Sequence, residues 1–168
     1  MQRVRLGAAI AALLLEGCHE QAKQPERWGG LGKTPSFCFA SGSDGSTGVG
    51  VSLSIKEPIL SGFAVFNDAF RGLPKQTFYP DLVLAIDGEV VASGAHPNPN
   101  RDGTGVDFAF VPAKFRKLLA HHPSAFTLTV RQGDRTLAET RLGNDAMQAI
   151  GQAVRCERQE RLRLSANS

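Results

Sequence analysis

Leu82 to Ser93 reads LVLAIDGEVVAS, two apolar runs on either side of Asp87-Gly88. Aspartate and glycine tolerate the left-handed backbone that a two-residue type I′ turn requires, so the stretch predicts a tight β-hairpin. It is the clearest local signal in the chain, and it sets the terms for reading the rest.

Working outward, the same kind of pattern recurs. Val49 to Ile55 alternates strictly, with Val49, Val51, Leu53 and Ile55 on one face and Gly50, Ser52 and Ser54 on the other. That is the period of a half-buried strand, and Pro58 ends it. Ser36 to Ala40 is a short apolar run before the turn-rich Ser41 to Gly48. Leu60 to Asp68 is a further strand, with its glycine marking a bulge. Phe70, Phe78 and Tyr79 in the loop from Ala69 to Pro80 are expected to fold back over an edge of the core. Gly105 to Val111 alternates Val106, Phe108 and Phe110 against Asp107 and Ala109, and Ala125 to Leu142 gives a second hairpin turning around Gln132-Gly133-Asp134.

Two stretches are helical in pattern. Pro112 to His122 opens with proline at a permitted first-turn position, places Phe115, Leu118 and Leu119 on one face, and is stopped by Pro123. Asn144 to Leu164 starts at a good N-cap and aligns Met147, Ile150 and Val154, with Cys156 close to the same face. Beyond Cys156 the residues are mostly charged, so residues 157–168 are expected to fray into a solvated tail. The fold class is therefore mainly β: an antiparallel β-sandwich or partly closed barrel of about seven strands, with one connecting helix and a C-terminal helix. Residues 36–156 make up that one domain, without an internal repeat or a low-complexity tract.

The totals agree with a globular domain. The chain has 168 residues, 42% of them hydrophobic and 21% charged, which allows one real core and argues against extensive disorder. A formal charge of +3 is too mild to indicate nucleic acid. Eighteen glycines and ten phenylalanines imply many turns around a Phe-rich core.

The N-terminus reads as an address. Arg3 and Arg5 precede Leu6 to Leu15, an uncharged apolar run that fits a signal h-region and is too short to span a bilayer. Leu15-Glu16-Gly17-Cys18 then resembles a bacterial lipoprotein lipobox. Leu15, Gly17 and Cys18 match that motif, while Glu16 departs from it at a position that is normally small and uncharged. The resemblance implies a signal peptide over 1–17, diacylglycerol on Cys18, a flexible tether over 18–35, and anchoring on the periplasmic side of a bacterial cell envelope. A cleaved soluble signal and a packed N-terminal helix are the alternatives. If Cys18 carries lipid, Cys38 and Cys156 are left as the one possible intrachain disulfide; three free thiols in a cytosolic protein are the other reading.

The layout also resembles bacterial exported proteins related to invasion-associated locus B. The matching features are Trp28 ahead of Cys38, FRKLL at Phe115–Leu119, FTLTV at Phe126–Val130, and AMQAIGQAVRC at Ala146–Cys156. That resemblance implies an exported, non-enzymatic envelope protein and transfers no binding residue.

Signals for chemistry are sparse. Asn98, Asn100, Asp102 and Gly103 follow the spacing of a calcium loop, but the first position lacks its aspartate, the twelfth, Ala109, lacks the bidentate glutamate, and no helix precedes it. A surface loop explains the same residues. His19, His96, His121 and His122 form no zinc motif, and no nucleophile elbow or phosphate loop occurs. Asp87 and Glu89 belong to a hairpin turn and its exit. Arg158, Arg161 and Arg163 interleave with Glu157 and Glu160 as a solvated helix end or an ionic docking surface. No catalytic residue, metal or cofactor is expected. The function expected is recognition or inhibition of a protein partner at the membrane surface; a hydrolytic enzyme whose triad is spatial, and a purely structural envelope role, are the alternatives.

Overall fold

The structure, a computed structural model, describes residues 27–29, 32–56, 61–99 and 103–166. The signal-like segment 1–17, Cys18 and the tether up to residue 26 lie outside the described residues.

Among the described residues ten strands, two α-helices and a short 3-10 helix follow in order: β1 (Arg27–Trp28), β2 (Gly32–Lys33), β3 (Phe37–Asp44), β4 (Thr47–Ser54), β5 (Gly62–Phe66), the 3-10 helix (Asp68–Gly72), β6 (Tyr79–Ile86), β7 (Glu89–Pro97), β8 (Gly105–Ala109), α1 (Pro112–His121), β9 (Phe126–Gln132), β10 (Arg135–Leu142) and α2 (Asn144–Ala166). All pairings are antiparallel, and the sheet runs β1-β3-β4-β5-β8-β7-β6-β9-β10, with β2 on β3. Mainly β architecture with two helices is thus the observed class, built as one curled, half-barrel sheet. Strand β7 joins its two parts. It pairs with β6 from Glu89 to Ala95 and with β8 at His96 and Pro97. Within the β6-paired stretch, at the register shift between Ser93 and Ala95, Gly94 has φ +77°, and the Phe78 ring lies where a Cβ would project.

The hairpin that anchors the sequence reading forms as expected. Asp87 and Gly88 have φ of 46° and 85°, so both central turn residues are left-handed, as a type I′ turn demands. The alternation of β4 holds up to Leu53: Val49, Val51, Leu53 and Ile55 are buried and Gly50 and Ser52 half-buried, but Ser54 of the opposite face is buried as well, its N–H donating to Ser61 Oγ at 3.0 Å. Val49, Val51 and Leu53 meet Phe63 and Val65 of β5, Val106 and Phe108 of β8, Leu82, Leu84 and Ile86 of β6, and Leu128 and Val130 of β9 in one core, while Ile55 packs apart from it with Cys38 and Cys156. In the 70–80 loop, Phe70 and Tyr79 are buried and Phe78 stays exposed.

Helix α2 packs chiefly on β3 and β4 and also meets β1 and β10. Its inner face is Ala146, Ala149, Ile150, Ala153 and Cys156, while Met147 and Val154 are only half-buried. Three alanines let the helix approach the sheet closely, and this turns the buried stripe away from the expected Met147–Val154 line. The Cys38–Cys156 disulfide is present, with Cα atoms 6.0 Å apart, buried beside Ile55. It closes a separation of 118 residues, a constraint on the unfolded chain of about 4–5 kcal/mol in the loop-entropy account.

Three expectations are corrected. Residues 27–33, read as tether, include β1 and β2, which pair with β3, and Trp28 packs on the core. Gly62 marks no bulge: β5 keeps register with β4 and β8, and a Cβ there would meet the Phe108 carbonyl oxygen at 2.5 Å, so glycine serves close strand approach. Finally, the charged residues after Cys156 do not fray. Helix α2 continues through Ala166, because Glu157 is buried and ion-paired, and Glu160 binds Lys33 and Arg163.

Candidate functional site

Helix α1 stands as a ridge with a depression on each side. Its packing face is aromatic: the Phe115 ring lies 5.1 Å from that of Phe63 and 4.6 Å from that of Phe110. Its start is unusual. The N-cap position is Val111, which offers no side-chain hydrogen bond, and no acidic residue occupies the first turn. The first backbone bond runs from the Phe115 N–H to the Val111 carbonyl at 3.1 Å. Pro112 has no N–H, so the N–H groups of Ala113 and Lys114 point out of the helix end with no acceptor inside it.

On one side, a depression of about 470 Å³ lies between α1 and the β6–β7 hairpin, lined by Phe63, Phe110 and Phe115 together with Lys114, Lys117 and His121. On the other side, a wider groove of about 1030 Å³ separates α1 from the C-terminal half of α2. Val111 borders both. The wider groove has exposed apolar walls: Val111 is 57% exposed, Leu162 63% and Leu164 45%. Around them stand Lys56, Arg116, Arg158 and Arg161.

Glu157 lies at the bottom of this groove, 2% exposed. It accepts from Arg116 Nη1 of α1 at 3.3 Å and from Arg161 Nε one turn along α2. Arg161 Nη2 also donates to the Ser54 carbonyl at the end of β4, at 2.9 Å. A buried carboxylate needs such compensation, since burying it unpaired would cost several kcal/mol. The network therefore fixes the distance between α1, α2 and β4. Just outside, Glu160 meets Lys33 Nζ at 2.8 Å and Arg163 Nη1 at 2.9 Å. The Lys33 hydrogen bond, reinforced by the charges of Lys33 and Arg163, holds the Glu160 carboxyl below its ordinary value despite some opposing desolvation.

The remaining sequence candidates are placed as follows. Cys38 and Cys156 join, and so seat α2 on β3 at the point where the groove wall begins. Asn98 donates its amide to both oxygens of Asp107, at 2.8 and 3.0 Å, while Asn100 and Asp102 lie outside the described residues. Cys18 and His19 also lie outside them. Among the described residues no three His, Cys, Asp or Glu side chains gather as a metal site, and no helix is long and apolar enough to cross a membrane. The histidines are used separately. His96 Nδ1 meets the Thr77 carbonyl, His121 Nδ1 the Lys117 carbonyl, and His122 Nδ1 the Asp87 carboxylate at 2.7 Å. Asp87 also accepts from the Thr127 N–H at 2.7 Å, so this pair ties the hairpin turn to the α1–β9 connection. Of Arg158, Arg161 and Arg163, two are held in ion pairs within the fold; Arg158 makes none among the described residues.

Comparison with known proteins finds no matching family model, no similar curated protein and no similar solved structure.

Sequence reading missed the groove because its parts are far apart: Val111, the α1 cations and the end of α2. One signal was available. Val111-Pro112 opens a helix without a capping side chain, an omission at a position where Ser, Thr, Asp or Asn is strongly preferred.

Proposed function

We propose that this chain is an exported protein, held at a bacterial envelope membrane through lipid on Cys18, that works by non-catalytic recognition of a protein partner. The observation that carries the reading is the groove between α1 and α2. Exposed Val111, Leu162 and Leu164 form an apolar surface rimmed by Lys56, Arg116 and Arg158, the composition of an interaction site. The curled sheet acts as a partly closed barrel that supplies a rigid support, and the disulfide and the Glu157 network hold the groove walls at fixed separation. Affinity capture from envelope extract, using the form from residue 19 onward, tests the reading. Wild type should retain a partner that the double variant Leu162→Glu, Leu164→Glu loses while keeping its circular dichroism. Equal recovery by the two proteins would remove the groove from the account.

A further inference from the structure

The chemistry of the groove specifies what fits it. Its length follows from its walls: α1 has 10 residues, about 15 Å, and the α2 stretch from Val154 to Ser165 is about 18 Å long. A helical segment of about three turns matches that span. Its concave shape suits an inserted rod of side chains more than the flat surface of a bilayer. The polarity is one-sided. Lys56 and Arg158 make no ion pair among the described residues, and Arg116 keeps much of its guanidinium open, its side chain being 46% exposed. The acid in the groove, Glu157, is buried and already bound by two arginines. The Ala113 and Lys114 N–H groups at the start of α1, without a partner among the described residues, add partial positive charge at Val111, with no acid in the first turn to offset it.

Resting on the reading of the groove as the recognition site, we propose that its occupant is an acidic amphipathic helix of the partner protein. Its apolar stripe covers Val111, Leu162 and Leu164, and its carboxylates meet Lys56 and Arg158. One of those carboxylates caps α1 from outside, taking the place that a side chain at residue 111 would fill in most helices.

Fluorescence anisotropy with synthetic probes tests this on the chain from residue 19 onward. The probes are an acetylated, amidated helix of about 14 residues with Leu at i, i+3, i+4 and i+7 and Glu elsewhere, its Lys counterpart, a scrambled Glu peptide, and phosphatidylglycerol vesicles. The Glu helix should bind at least about tenfold more tightly than the Lys helix or the scrambled peptide, and weaken as salt is raised. The double variant Lys56→Glu, Arg158→Glu should weaken it by about tenfold or more. Val111→Asp should also weaken it by about tenfold, because the chain then supplies both the cap and a negative charge that repels the acidic helix, whereas Val111→Ser, a cap without the charge, should cost only about two- to threefold. Val111→Asp improves the helix cap, so a loss there is not a failure to fold. Equal binding of the Glu and Lys helices, equal binding of the scrambled peptide, or binding to vesicles in preference to any peptide would overturn the acidic helix. If the Leu162→Glu, Leu164→Glu variant still loses the envelope partner in that case, recognition at the groove survives and only the occupant is wrong. If capture is untouched by that variant, the recognition reading fails and this inference fails with it.

Discussion

Glu157 and Arg116, 41 residues apart in sequence, join α2 to α1 across the floor of the groove at 3.3 Å. Arg161 contributes more to the same node, because it binds both Glu157 and the Ser54 carbonyl. Removing Arg161 leaves a buried carboxylate with half its compensation. We therefore expect Arg161→Ala to cost about 1.5–3 kcal/mol in urea denaturation, and Arg116→Ala distinctly less. The reverse order would contradict the assigned roles.

Val111→Asp should stabilise the fold. The residue has the extended backbone of an N-cap, is mostly exposed, and precedes proline at the first helical position. A carboxylate there can accept from the free N–H groups and oppose the dipole, a gain of about 1 kcal/mol, or about 2–4 °C in Tm for a chain of this size. A lower melting temperature in a calorimetric scan would show that the helix end is satisfied in another way.

Reduction of Cys38–Cys156 should loosen one region before the rest. The inner alanine face of α2 and Ile150 stay packed on the core, but the stretch beyond residue 156 loses its covalent tie to β3. Hydrogen exchange of the Cys38→Ser, Cys156→Ser variant should therefore speed up most strongly from Gly151 to Ala166, with β6 and β7 least affected. Global stability should fall by up to about 4–5 kcal/mol. Uniform loss of protection would assign the disulfide to the whole core instead.

The Glu160 contact gives a pH signature. Its carboxyl titrates below the ordinary value of 4.5 in the fold, chiefly because Lys33 hydrogen-bonds the ionised form. A lowered folded pKa stabilises above the unfolded value, and the contribution disappears as pH falls through the folded one. Wild type should thus exceed Glu160→Gln in denaturation midpoint above about pH 5, and the gap should narrow as pH falls below the ordinary value of 4.5. A gap that widens on acidification would reverse the assignment.

The anchor has its own check. Intact mass of membrane-extracted protein should show residues 1–17 absent and diacylglycerol on Cys18, with Glu16 influencing the efficiency of that processing. An unlipidated chain beginning elsewhere would dismiss the lipobox reading.

What could be read from sequence divides along the range of the interactions. The Asp87-Gly88 turn, the alternation from Val49 to Ile55 and the proline-led α1 were legible because their causes lie within a few residues. The fate of residues 157–166 was not. Glu157 looks solvated in sequence, and it is buried only because Arg116 and Ser54 arrive from other elements. The groove escaped for the same reason, as Val111 and Leu162 become neighbours of one space only after α2 has docked on β3. Even the strands at Arg27 and Gly32 are too short to carry a period, so pairing with β3 defines them.

On the proposed function, the α1–α2 groove is the surface through which this protein acts. Site-specific photocrosslinking in envelope preparations tests it most directly, with the crosslinker placed at Leu162 in one protein and at Gly50, on the opposite face of the core in β4, in another. A discrete adduct of one mass is expected from position 162 and none from position 50. Adducts from position 50 with none from position 162 would contradict it.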